Sequence, residues 1–113
     1  MELRGEATLF HQAGYADGAA LWDVFLLRGV KICRERRVGV GDRAVMYVFP
    51  GRVAVFSDGA PSPLPEIAPG DMVLAGDRQD ADPATLGEAM RVTGAEAFTD
   101  GSDRMRHVKV TLR

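Results

Sequence analysis

The chain has 113 residues, which is the size of a single domain and is long enough to bury a core without a stabilising metal or disulfide. It contains one cysteine, so an internal disulfide is excluded, and this usage is typical of a reducing compartment. The N-terminus does not resemble a signal peptide, and no apolar run approaches the ~18 residues of a membrane span, so we expect no membrane association.

The net charge is −2, but the charge alternates in four blocks along the sequence. Residues 1–30 carry −2, residues 31–56 carry +4, residues 57–89 carry −6 and residues 90–113 carry +2. Segregated charge of this kind favours contacts with neighbours of opposite sign, including other copies of the same chain. Ordinary solvated loops would give the same pattern, so both interpretations stay open at this point.

Apolar and polar residues alternate with a period of two through most of the chain, which predicts β-strands. We predict an all-β protein with one domain over residues 1–113, folded as a small β-barrel or sandwich of six to seven strands. Gly29 is expected to form a bulge or bend in a long second strand, because it has no side chain to pack. The strands are expected at residues 7–11, 20–33, 43–50, 52–56, 71–75, 92–99 and 105–112.

Two polar segments and one short helix are expected between the strands. Residues 34–42 contain two glycines and should form a loop. Residues 57–70 contain four prolines, which cannot supply a regular ladder of backbone donors, so we predict a long loop that is functional or becomes ordered on binding. Asp82 and Pro83 suit the N-cap and first position of a helix, expected near residues 83–90.

The residues that could carry catalysis or bind a metal are isolated from one another in the sequence. Cys33 would need a nearby base such as His11 or His107 to act as a nucleophile, and a buried structural thiol is the simpler interpretation. The two histidines lack a metal-ligand spacing, and the acidic residues between 77 and 82 lack the glycine and terminal glutamate of a calcium loop. We therefore predict no enzymatic activity, no cofactor and no metal site.

A cluster of arginines near two aromatic residues suggests an alternative function in nucleic-acid binding. Small β-barrels of the oligonucleotide-binding type combine basic side chains with rings on which bases stack. The acidic net charge argues against this function, as does the location of Tyr47 and Phe49 in the most apolar strand. The arginines concerned are Arg34, Arg36, Arg37, Arg43 and Arg52.

Five motifs, taken in their order, resemble a known family of small prophage proteins. The motifs are LFHQ, FLLRGVKI, the proline-rich segment, PGDMVLAGD and TDGSDRMRHVKV. The family is encoded among head and head–tail connection genes, and its members are often labelled minor capsid proteins. The similarity extends from Thr8 to Val110, and Val108 stands at a position that is often aromatic in the family.

The resemblance implies a non-enzymatic structural role in the virion, similar to that of the head-closure or connector proteins of tailed phages, with assembly in the bacterial cytoplasm. The implied partners are a portal or adaptor protein, a tail-completion protein and further copies of the chain in a ring, with room for contact to packaged DNA. Under this hypothesis the two polar segments contact the partners. The partner-binding residues are then Arg34, Arg36, Arg37, Pro61, Pro63, Leu64, Pro65 and Ile67.

Overall fold

The protein is built from antiparallel β-strands, as the alternation of apolar and polar residues predicts. A computed structural model describes residues 5–37, 41–83, 89–99 and 106–113, and the structural statements below concern these residues. Within them the backbone forms eight strands and no helix. The strands are β1 (Gly5–Ala16), β2 (Ala19–Arg37), β3 (Gly41–Val48), β4 (Ala54–Ser57), β5 (Ala60–Pro61), β6 (Met72–Ala75), β7 (Met90–Phe98) and β8 (His107–Leu112).

Two connecting segments differ from the sequence prediction. The loop expected over residues 34–42 is shorter, because β2 continues through Arg37 and β3 begins at Gly41. The helix expected near residues 83–90 lies mainly outside the described residues, and Met90 already belongs to β7.

Six of the strands close into a barrel made of two three-stranded meanders. Strands β1, β2 and β3 form one meander, and β6, β7 and β8 form the other. The meanders join at both edges, where β1 pairs with β6 and β3 pairs with β8. Closure of this kind removes the long unpaired edges that promote aggregation. The predicted all-β barrel is therefore confirmed.

Strand β3 runs through the centre of the sheet, and its side chains alternate between the two faces. Met46 and Val48 point into the barrel, where they are fully buried together with Val110 of β8. Val45 and Tyr47 lie on the outer face and are half-buried. The sequence predicts a central strand covered on both faces. In the structure both edges of β3 are paired, but only one face is fully buried.

Gly29 divides β2 into two halves with different neighbours. Its φ is 90°, and the pairing with β1 skips it, because Glu6 lies opposite Arg28 and Gly5 lies opposite Val30. The extra residue is a β-bulge, which bends the strand and increases its twist. The bulge predicted at Gly29 is thus confirmed. Before the bulge β2 pairs with β4, and after it β2 pairs with β3.

A tight hairpin joins β1 to β2 and extends past the barrel. Its turn residues, Asp17 and Gly18, have φ values of 52° and 78°, which is the type I′ geometry that Asp-Gly sequences favour. The pairing of β1 with β6 ends at Phe10. Among the described residues, β1 beyond Phe10 pairs with β2 alone. We call residues 13–23 the hairpin arm. The strands expected at residues 7–11 and 20–33 are longer in the structure, so the turn between them is tight.

A second hairpin of the same type lies inside the segment that was expected to be a loop. Asp58 and Gly59 have φ values of 52° and 77°, and β5 pairs with β4 through Ala60 and Pro61. The expectation that no ladder forms in residues 57–70 is therefore wrong for these two residues. Pro61 is tolerated because β5 is the edge of the sheet, where a missing N–H leaves no partner unsatisfied.

The chain after β5 is anchored to the core. We call residues 62–69 the proline strap. Ile67 is only 7% exposed and belongs to the core cluster, and Leu64 packs against that cluster. The strap therefore contributes apolar side chains to the barrel interior.

Candidate functional site

The outer surface of four neighbouring strands carries several basic side chains. It comprises β2 after Gly29, β3, β8 and β7, and we call it the basic face. The cross-strand register places Lys31, Tyr47, Lys109 and Glu96 in one row across these strands. Glu96 is the acidic residue in this row. The basic side chains of the face are Lys31, Arg43, Arg91, Lys109 and Arg113.

Aromatic rings cluster at one end of the basic face. The rings of Phe98 and His107 stack with centroids 4.7 Å apart and an interplanar angle of 15°. The rings of Phe49 and Tyr47 lie 5.4 Å and 6.1 Å from His107, and the Arg52 guanidinium lies 5.7 Å from the centroid of Phe49. Phe98 remains 39% exposed, so an aromatic surface is available to a partner.

Like charges meet at the other end of the basic face. Arg91 and Arg113 exchange backbone hydrogen bonds of 2.8 Å and 2.9 Å, so the two residues lie directly opposite each other on β7 and β8. Arg43 lies alongside, because the next residue of β3, Ala44, pairs with Leu112. Like charges directly opposite each other are unfavourable in an isolated sheet. An arrangement of this kind favours an anionic partner.

Acidic and apolar side chains are exposed on the hairpin arm, at the opposite end of β2. Asp17 and Asp23 are exposed, and so are two large hydrophobic side chains, Tyr15 at 73% and Leu21 at 48%. An open groove separates the arm from residues 81–83, which include the exposed Asp82.

The acidic arm and the basic face are far enough apart to act independently. Asp23 and Lys31 are eight residues apart on β2, on either side of the bulge. One residue of this span is taken up by the bulge, so the extended separation is roughly 23 Å. The Debye length is about 8 Å at physiological ionic strength, so salt screens one surface from the other. Each surface therefore presents its own sign of charge to a neighbour.

A buried carboxylate fixes the base of the arm to the end of the proline strap. Asp71 is 1% exposed, and its Oδ1 accepts a hydrogen bond of 3.0 Å from the backbone N–H of Gln12. Its Oδ2 accepts a bond of 3.1 Å from the N–H of Ala68 and lies 2.8 Å from Nδ1 of His11. A buried carboxylate is stable only with partners of this kind. The acid of the PGDMVLAGD motif therefore has a structural role.

Cys33 and the two histidines weighed as its base lie apart in the sheet. Cys33 is half-buried and pairs with Val45, so it lies on the outer surface of the barrel, and the expected burial of its thiol is wrong. The bulge at Gly29 causes this, because it shifts which residues of β2 point inward. His11 pairs with Asp23 near the arm, while His107 lies in the aromatic cluster. His107 and Lys109 lie on the outer face, as the alternation of the last strand predicts.

The partner-binding residues expected from the sequence are distributed over different elements. Arg34 is exposed on β2, while the side chains of Arg36 and Arg37 lie outside the described part of the structure. The proline strap offers exposed Pro63 but holds Ile67 in the core. Ile67 is thus unavailable to a partner in this conformation. Pro61 is exposed, and Leu64 and Pro65 are half-buried.

Sequence reasoning missed several residues of the basic face, because they come together only through the register of distant strands. The outward alternation of β8 was a usable signal for Lys109 and His107. No local pattern indicates that β8 lies beside β3, or that β7 brings further side chains to the same surface. The missed residues are Arg91, Glu96, Phe98 and Arg113, whereas His107 and Lys109 were predicted to face outward but were not assigned to a site.

Comparison of the chain with protein-family models, with curated proteins and with solved structures gives no match. Among the described residues, no group of three or more His, Cys, Asp or Glu side chains could hold a metal ion. The same part of the chain contains no helix that is long and apolar enough to cross a membrane. The two charged surfaces are therefore the features of the structure that bear on function.

Proposed function

We propose that the protein is a non-enzymatic structural component of a phage particle, acting as a head–tail connector, head-closure or minor capsid subunit. The observation that supports this proposal is the placement of an acidic arm and a basic face at the two ends of one long strand in a closed barrel. A subunit with unlike surfaces at opposite ends forms heterologous contacts, and such contacts close into rings when the rotation between copies is right.

The barrel is suited to this role because its shape is fixed by its interior. The core side chains come from both meanders and from the proline strap, so the strands of the basic face keep a constant geometry, and hydrogen bonds to Asp71 fix the base of the arm. A rigid subunit loses less conformational entropy on assembly than a flexible one does. The motif order that resembles the prophage family supports the same role and names the partners: a portal or adaptor protein, a tail-completion protein and further copies of the chain.

The proposal is tested by reconstitution with the cognate portal protein. We expect native mass spectrometry of the mixture to detect a complex that contains several copies of the chain. We also expect an antibody against the protein to detect it in purified virions. A portal that binds no copy of the chain, together with virions that lack it, would show that the protein has another function.

A second candidate function, nucleic-acid binding, is favoured by the outward orientation of the aromatic cluster. The sequence places Tyr47 and Phe49 in the most apolar strand, but in the structure both lie on the outer surface beside basic side chains. The acidic net charge is also less of an objection, because five basic side chains lie together on one face. Stacking rings within a basic surface are what single-stranded nucleic acids require.

Fluorescence anisotropy with a labelled single-stranded oligonucleotide tests this candidate. Binding at the basic face should weaken as salt increases and should be lost on Lys109→Glu. Arg28→Glu is the matched control, since it makes the same change of charge on β2 before the bulge, outside the basic face. Equal loss in both variants would indicate nonspecific attraction to charge and not a site.

A further inference from the structure

We propose that the hairpin arm of one copy lies on the basic face of the next copy, and that this contact joins neighbouring subunits of the ring. The inference rests on the proposed function, since it names the surfaces through which the connector would assemble. It commits the basic face to one occupant, a second copy of this chain.

The exposed hydrophobic side chains support this assignment. Among the described residues, the large hydrophobic side chains that remain exposed are Tyr15, Leu21 and Phe98. Two of them lie on the arm and the third lies in the aromatic cluster of the basic face. Aromatic side chains of this kind are enriched at the centres of protein interfaces, where they supply most of the binding energy. The register places Tyr15 and Leu21 on opposite faces of the arm, and Leu21 shares its face with Asp23. A contact through that face therefore brings Leu21 to the aromatic cluster.

The charges around these apolar side chains are complementary. Asp23 lies on the same face of the arm as Leu21, and Asp17 lies in the turn at its tip. Lys31 and Lys109 lie on either side of Tyr47 in the basic face. Complementary charge at the rim of an interface speeds association and selects one orientation of the two partners. Docking of the arm would also bring carboxylates to a face whose own arginines repel each other.

The dimensions of the two surfaces agree. The arm is two strands wide, which is about 5 Å between strand axes, whereas the basic face is four strands wide, or about 14 Å. The face is about 20 Å long, measured along residues 43–49 of β3, and the arm is about 14 Å long, measured along residues 13–17. The arm can therefore lie along the face within its borders.

The arm is ordered before it meets a partner. Its turn has the backbone geometry that Asp-Gly prefers, and its base is tied to Asp71 through Gln12. A preorganised element loses little entropy on binding, so a small contact suffices. The arm and the face of one copy are at opposite ends of β2, so the arm cannot reach the face of its own chain. A second copy of the chain supplies both complementary surfaces.

Complementary charge reversal tests this contact directly. One variant carries Asp17→Lys and Asp23→Lys, and a second variant carries Lys31→Glu and Lys109→Glu. Each variant alone then has like charges on its arm and its face. In an equimolar mixture, every contact between the two variants pairs opposite charges.

We expect sedimentation velocity at low salt to show reversible self-association of the wild-type chain. Each variant alone should associate at least ~10-fold more weakly, and the mixture should recover association as alternating complexes. The matched control for the arm is Asp58→Lys with Glu66→Lys. It makes the same change in net charge, and Asp58 has the same φ as Asp17 in the same type of turn. This control should associate like wild type.

Three results would overturn the contact. The first is a wild-type chain that stays monomeric at low salt, and the second is a pair of variants that associate as well as wild type does. The third is that a single-stranded oligonucleotide binds the wild-type chain but not the Lys109→Glu variant, and that the wild-type chain does not self-associate. The proposed connector function is tested separately: it fails when the portal binds no copy of the chain and purified virions lack it. If both charge-reversal variants still bind the portal, the proposed function stands without this contact.

Discussion

The two Asp-Gly hairpins of the protein have the same turn and opposite surroundings. Asp17-Gly18 and Asp58-Gly59 adopt the same pair of φ values to within a degree. The first hairpin forms the projecting arm, whereas the chain after the second returns to the barrel through the proline strap and buries Ile67. The dipeptide therefore determines the turn, and the side chains that follow it determine whether the hairpin projects or is anchored.

The largest effect is expected from removing the anchor of the strap. Ile67→Ala should lower the free energy of unfolding by about 2–4 kcal/mol, because it deletes buried aliphatic groups and leaves a cavity. Tyr15→Ala, the matched change at the exposed arm, should alter it by less than about 0.5 kcal/mol. Urea unfolding of both variants measures the difference. Similar losses would mean that the arm is as firmly packed as the strap.

The next effect concerns Asp71, which connects the two regions. Asp71→Ala leaves the N–H groups of Gln12 and Ala68 without their acceptor. We expect a loss of about 2–3 kcal/mol in unfolding free energy, together with faster amide exchange at both positions. Asp77→Ala is the control, because Asp77 is exposed and should cost less than about 0.5 kcal/mol. Protection that persists at Gln12 would show that the arm is held by other contacts.

A pair of glycine substitutions sharpens the comparison between the turns. A Cβ added at Gly18 or at Gly59 meets no atom within 4 Å, so the cost of alanine at either position is backbone strain alone. Gly18→Ala and Gly59→Ala should each lose about 1–2 kcal/mol, and the two losses should agree. Thermal or urea unfolding of the two variants tests this. Clearly unequal losses would indicate that the surroundings contribute to the turn energy.

Local patterns in the sequence account for the strands and the barrel but not for the surfaces. Alternation locates most strands, and the missing side chain of Gly29 marks the bulge that the structure confirms. The Asp-Gly dipeptide at residues 58–59 was a usable signal for the second hairpin, but the prolines after it obscured it. The basic face depends on pairing between β3 and β8, which are about sixty residues apart, and no local propensity encodes that pairing.

The smallest effect on stability is expected at Arg91, and its direction separates folding from assembly. Arg91 lies directly opposite Arg113, so the pair is repulsive in the isolated subunit. Arg91→Glu replaces this repulsion with an attractive cross-strand pair and should raise the free energy of unfolding by about 0.2–1 kcal/mol. The same change removes positive charge from the basic face and should weaken self-association at low salt. Arg91→Gln should give about half of each effect. A variant that is both more stable and equally well associated would show that this end of the face makes no contact with the acidic arm.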